Sequence, residues 1–116
     1  MSILEELTHL FSGLDVPVET GIFSDKAPNT YAVITPLTDT FALHADNVPQ
    51  IDVQEARISL YTKGSYTALK NRIVRALIRA EYTITDRRYL GFETGTGHHH
   101  YAVDAAKHYD FETEEE

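Results

Sequence analysis

Cysteine is missing altogether from this 116-residue chain. That excludes a disulfide framework, a thiolate zinc site and a cysteine nucleophile. No apolar run approaches the roughly 20 residues that a membrane-spanning helix needs, so no membrane partner is expected. The start, Met1-Ser2-Ile3-Leu4-Glu5-Glu6, lacks the basic opening and long apolar stretch of a signal peptide. The chain is expected to work in the cytoplasm that makes it, or in a particle assembled there. Also lacking are a Gly-x-Ser-x-Gly elbow, a Ser-x-x-Lys pair and a His-Glu-x-x-His helix. Lys63-Gly64-Ser65 has the glycine and the lysine in the wrong order for a phosphate loop. No nucleotide or other cofactor is implied by any motif.

What is present is an ordinary soluble composition, 42% apolar and 24% charged. A chain of this length hides roughly two-thirds of its unfolded surface, enough for one self-sufficient domain. That domain is expected over residues 1–111, followed by a frayed acidic tail at 112–116. The charges are unevenly placed. Residues 1–55 carry nine acids and one base (Lys26), residues 56–107 nine bases and four acids, and residues 108–116 five acids. A chain with net charge −8 is a poor free-standing nucleic-acid binder. Its basic middle can instead face an acidic stretch, of the same copy or of another.

Ile3, Leu4, Leu7, Leu10, Phe11 and Leu14 recur at helical spacing, with Ser2 and Glu5 forming a capping box and Gly13 a natural stop. From Val16 the period changes to two. Val16–Phe23, Thr30–Thr35, Phe41–His44 and Gln50–Thr62 read as strands, with Asp46-Asn47-Val48-Pro49 as a loop. Within the last, the inward set moves from Ile51 and Val53 to Ala56, Ile58 and Leu60, which predicts a bulge near Gln54-Glu55. Ser65 caps a second helix whose stripe is Tyr66, Leu69, Ile73, Ala76, Leu77 and Ala80. Tyr82–Glu93 and His98–His108 form a hairpin, with Gly95 and Gly97 supplying positive φ at the reversal. The fold class is therefore α+β: a mainly antiparallel sheet with two helices packed on one face and a C-terminal β-hairpin. One sheet face is left for solvent or a partner.

On a strand only alternate side chains share a face, so His98 and His100 are the weak metal candidates in His98-His99-His100. A third ligand from Asp104 or His108 would be needed. The bland reading is a pair of half-exposed strand residues beside a turn. His9 and His44 stand alone. On the second helix Arg72, Arg75 and Arg79 form one ridge; it is either a solvated face or, through two-point pairing with carboxylates, a subunit contact. Arg87 and Arg88 can act likewise, with Asp39, Asp46 and Asp52 as acidic counterparts.

Pro36-Leu37-Thr38-Asp39-Thr40-Phe41-Ala42-Leu43, with Ala45-Asp46-Asn47, is similar to small virion proteins encoded beside the tail genes of long-tailed phages. So are Glu55–Tyr66, running through Lys63-Gly64, Thr83–Tyr89 and His99–Asp104. The chain resembles the tail-terminator (tail-completion, head–tail joining) group of phages and prophages of Gram-positive bacteria over roughly Ser24–Phe111. The resemblance implies a structural α+β subunit, not an enzyme, without cofactor. It implies a homo-oligomeric ring, commonly a hexamer, that caps the tail tube, meets the head connector and lets DNA pass its lumen unbound. Its place would be the tail and neck of the virion, after assembly in the host bacterial cytoplasm. No residue role is carried over from the resemblance. The rival readings are another neck adaptor or minor tail protein, a small metal-dependent enzyme using His98 and His100, and a ligand- or peptide-binding regulatory domain on the open sheet face.

Overall fold

A computed structural model describes residues 2–19, 28–45 and 48–110. Helix α1 (Ile3–Gly13) begins on the expected box: Ser2 Oγ accepts from the Glu5 amide at 3.2 Å, and Glu5 Oε1 accepts from the Ser2 amide at 3.1 Å. It stops at Gly13, as expected. The left-handed residue is Asp15, at φ 61°, and not Gly13. Aspartate tolerates that region because its short side chain can bond locally.

The strands are β1 (Val18–Glu19), β2 (Thr30–Ala45), β3 (Val48–Thr62), β4 (Thr83–Glu93) and β5 (His98–Asp110). They form one sheet in the order β1-β2-β3-β5-β4. All pairs are antiparallel except β1 with β2, a two-residue parallel contact. Helix α2 (Tyr66–Arg79) starts at Ser65, whose hydroxyl accepts from the Ala68 amide at 3.2 Å. The expected α+β class, with its C-terminal hairpin, is the fold. At the hairpin reversal only Gly97 has positive φ (83°) among the two glycines proposed for it.

Three strand expectations need correction. Thr30–Thr35 and Phe41–His44 belong to one continuous strand, because Pro36 sits beside a bulge at Leu37 and does not end the ladder. The bulge foreseen near Gln54-Glu55 of β3 is not there: the extra residue at that height is Leu37 of the partner strand β2. The β3–β5 register runs unshifted from Ile51 to Thr62. Even positions of β3 from Asp52 to Thr62 therefore face the helices, and polar Gln54 is used there: its Oε1 accepts the Ile3 amide of α1 at 2.8 Å. Val48 and Pro49 lie in β3; Asp46, Asn47 and the tail at 112–116 lie outside the described residues.

The core lies between the helices and one sheet face. Ile3, Leu7 and Phe11 of α1, and Leu69, Ile73 and Leu77 of α2, meet Ala32, Ile34, Ala56, Ile58, Leu60, Val103 and Ala105. The small side chains at Ala32, Ala56 and Ala105 give the helices close access to the strands. Helix α1 lies over β2 and β3, and α2 over β4, β5 and β3.

A polar tie completes the packing of α1. Glu6 accepts from the Tyr82 hydroxyl and from Lys107 Nζ, each at 3.1 Å. Lys107 also donates to the Ala80 carbonyl at 3.1 Å and stands 4.7 Å above the Tyr82 ring. Burial alone would raise the Glu6 carboxyl, but the bonds from Lys107 and Tyr82, and the charge of Lys107, hold it below its ordinary value. Burial pushes the neighbouring Tyr109 hydroxyl up to about 12.

Candidate interaction surface

The sheet face turned away from the helices is built by alternation. Tyr31, Tyr61 and His100 are register partners across β2, β3 and β5. Their rings stack: Tyr31 on Tyr61 at 4.7 Å and Tyr61 on His100 at 4.3 Å between centroids. The ladder stops at Gly91, which pairs with His100 and has no side chain to add. His100 Nε2 is buried there without a hydrogen-bond partner among the described residues, and burial lowers the pKa of this imidazole.

His98 shares that face with His100, as strand parity requires, but both of its nitrogens are engaged. Nε2 lies 2.9 Å from the Pro28 carbonyl and Nδ1 2.9 Å from Thr96 Oγ1, which itself bonds Glu93 Oε1 at 3.0 Å. The ring is 2% exposed and stands edge-on to Tyr31 and Tyr61. Carbonyl bonding at Nε2 fixes that nitrogen as a donor, which removes it as a metal ligand. Asp104, one of the two possible third ligands, is taken by Arg57. Nε donates to Oδ1 at 2.9 Å and Nη2 to Oδ2 at 3.1 Å. Among the described residues no three His, Cys, Asp or Glu side chains converge on one point.

The arginines lie elsewhere. Arg72, Arg75 and Arg79 are exposed on the outer face of α2 and make no ion pair among the described residues. Arg87, also exposed, is opposite Val103 on the helix side of β4. Arg88 is on the other side of that strand and bonds Asp86 at 2.8 Å. The same edge exposes Tyr89, Leu90 and Phe92, with Phe92 51% accessible, and α2 adds Ile78 at 59%. Tyr89, Phe92, His99, Tyr66 and Tyr101 form a connected aromatic group where α2 begins. The flank made by α2 and β4 is thus both basic and apolar.

The acidic counterparts are spread out. Asp39 pairs with Gln54 in the β2–β3 register. Asp46 lies outside the described residues. Asp52 is half-buried on the helix side and accepts from Gln54 Nε2 at 2.8 Å, so it serves the α1 N-terminus first. Sequence reasoning did not find the Arg57–Asp104 fork, the tyrosine–histidine ladder or the His98–Pro28 bond. Parity puts Arg57 with Tyr61 on one face of β3 and His100 with Asp104 on one face of β5, but that these faces coincide, and which residues pair, requires the β3–β5 register.

No family model matches this chain, and no curated protein matches it significantly.

Proposed function

We propose that the chain is a structural subunit of a phage or prophage virion, a tail terminator that closes into a ring on the finished tail tube and joins it to the head connector. The observation that carries this reading is the α2 arginine row. Three guanidinium groups stand exposed with no carboxylate partner among the described residues, on a subunit of the α+β class that the resemblance implies. Unpaired arginines beside exposed aromatic and aliphatic side chains have the composition of an assembly surface.

A head-to-tail contact of this kind closes only if its rotation divides a full turn. DNA crosses the lumen without specific binding, since a chain of net charge −8 offers phosphates little attraction. The tube protein and the connector are the remaining partners. The histidines argue against the metal-enzyme rival, because His98 spends both ring nitrogens inside the fold.

Mass spectrometry of purified particles from a host carrying the gene tests the reading, together with electron microscopy of a strain in which the gene is disrupted. The expected result is the protein at ring stoichiometry in mature particles, and heads and tails left unjoined without it. Its absence from particles that assemble normally overturns the proposal.

A further inference from the structure

We infer that the subunit is electrically polar across its sheet, and that the α2/β4 flank of one copy docks on the α1/β1/β2 flank of the next at matched heights. This contact rests on the ring reading above and names the surfaces that make it. The two flanks are the opposite edges of one sheet, since β4 and β1 are the outermost strands. Residues 1–19, which build α1 and β1, contain no lysine or arginine, and apart from Glu6, which is bound by Lys107 and Tyr82, they carry Glu5, Asp15 and Glu19; β2 adds Asp39. The α2 and β4 segments contain Lys70, Arg72, Arg75, Arg79, Arg87 and Arg88 against Asp86 and Glu93. Opposite signs at opposite edges suit a head-to-tail contact and oppose a two-fold one, which would set like charges together.

Direction agrees as well. Strand β4 is antiparallel to β5, β5 to β3, and β3 to β2, while β1 is parallel to β2. β4 therefore runs opposite to β1 and β2. A rotation about an axis parallel to the strands preserves this, so β4 meets the next copy's β1 and β2 edge in antiparallel sense, the pairing an exposed edge accepts.

Height along the strands decides which charges meet, because such a rotation does not shift it. Glu19 pairs with Val33, Val33 with Ser59, Ser59 with Ala102, and Ala102 with Arg88. Glu19 and Arg88 thus stand at one height on opposite edges. Lower down, Asp39 pairs with Gln54 and Gln54 with Lys107, whose ammonium reaches the Ala80 carbonyl beside Arg79. Asp39 and Arg79 form a second matched pair. The rotation that continues the sheet brings both pairs together at once.

Charge exchange between full-length chains tests this. One variant carries Arg79→Glu and Arg88→Glu, the other Glu19→Lys and Asp39→Lys, and sedimentation follows each alone and the two mixed. Each variant alone should self-associate at least about tenfold more weakly than the original chain, because like charges then face each other. The mixture should recover, since every contact between unlike copies is again of opposite sign. Circular dichroism and the thermal midpoint establish that each variant is folded. A neutral Arg79→Gln, Arg88→Gln variant should fall between the original and the reversal. Undiminished assembly by either reversed variant, a mixture that stays dissociated, or an original chain that never self-associates overturns the contact. Particle composition decides the virion reading separately, so the two failures are distinguishable.

Discussion

Arg57 and Asp104 meet on the open sheet face as a two-point fork, Nε to Oδ1 and Nη2 to Oδ2, and the two partners differ in access to water. The Asp104 side chain is 9% exposed and that of Arg57 36%. Removing either partner should therefore not be equivalent. After Asp104→Ala the guanidinium can turn outward and rehydrate. After Arg57→Ala the carboxylate stays inside, charged and without its partner, which is the costlier outcome. Urea unfolding should show a larger loss for Arg57→Ala than for Asp104→Ala. Equal losses would show that the fork is no deeper than an ordinary surface pair.

The Glu6 tie gives stability a pH dependence at both ends. The folded Glu6 carboxyl sits below its ordinary value of 4.5, so its contribution is present above that pH and is lost as pH falls through the folded value. Tyr109 has the opposite sign. Its hydroxyl moves from 10.0 to about 12, so its contribution is full below 10 and disappears as pH rises toward 12. Tyr82 is raised as well, chiefly by burial, and adds to the alkaline loss. Thermal midpoints across pH should show that Glu6→Gln flattens chiefly the acid arm, with a smaller change in the alkaline arm because the Glu6 carboxylate also helps to raise Tyr82 and Tyr109, and that Tyr109→Phe removes chiefly part of the alkaline arm. An unchanged acid arm in Glu6→Gln would remove Glu6 from the account.

His98 holds the segment entering β2 to the turn between β4 and β5, through the Pro28 carbonyl and the Thr96 hydroxyl. A phenylalanine there keeps most of the ring and loses both bonds. The Thr96 hydroxyl still has Glu93 as an acceptor, whereas the Pro28 carbonyl loses this bond. His98→Phe should cost about 1–3 kcal/mol in chemical unfolding, the usual range for stranding a buried polar group. Thr96→Val, which leaves the Pro28 bond in place, should cost less. Added zinc should protect neither variant nor the original chain. A zinc-dependent rise in the thermal midpoint would return the metal reading to consideration.

The elements with strong local signals were legible in the sequence. Ser2 with Glu5, and Ser65 before an apolar stripe, marked both helix starts to the residue, because a cap is a short-range event. Parity placed His98 and His100 together for a similar reason. Longer-range facts were hidden. Gln54 looked like a change of phase, and only the neighbouring α1 amide explains a polar side chain on the helix side. Pro36 looked like a strand end because its ring removes a donor, but a bulge absorbs that loss. The arginine ridge could be named from spacing; which carboxylates it could meet depends on strand order and register.

Leu77 and Ile78 are chain neighbours with opposite environments, and they test the orientation of α2 from which the basic flank is argued. Leu77 is fully buried against the sheet, while Ile78 is 59% exposed on the face that carries Arg75 and Arg79. Truncating Leu77 leaves a cavity that the surrounding strands can fill only in part, so Leu77→Ala should cost about 2–5 kcal/mol. Ile78→Ala removes side-chain atoms that mostly touch water, and monomer stability should change by no more than about 0.5 kcal/mol. If Ile78 sits within the flank contact, its truncation should still weaken self-association, because exposed apolar area on a docking face is buried only in the assembly. Urea unfolding at low protein concentration and sedimentation at high concentration separate the two effects. A large loss of monomer stability in Ile78→Ala would mean that α2 is rotated about its axis, and the arginine row would no longer point outward.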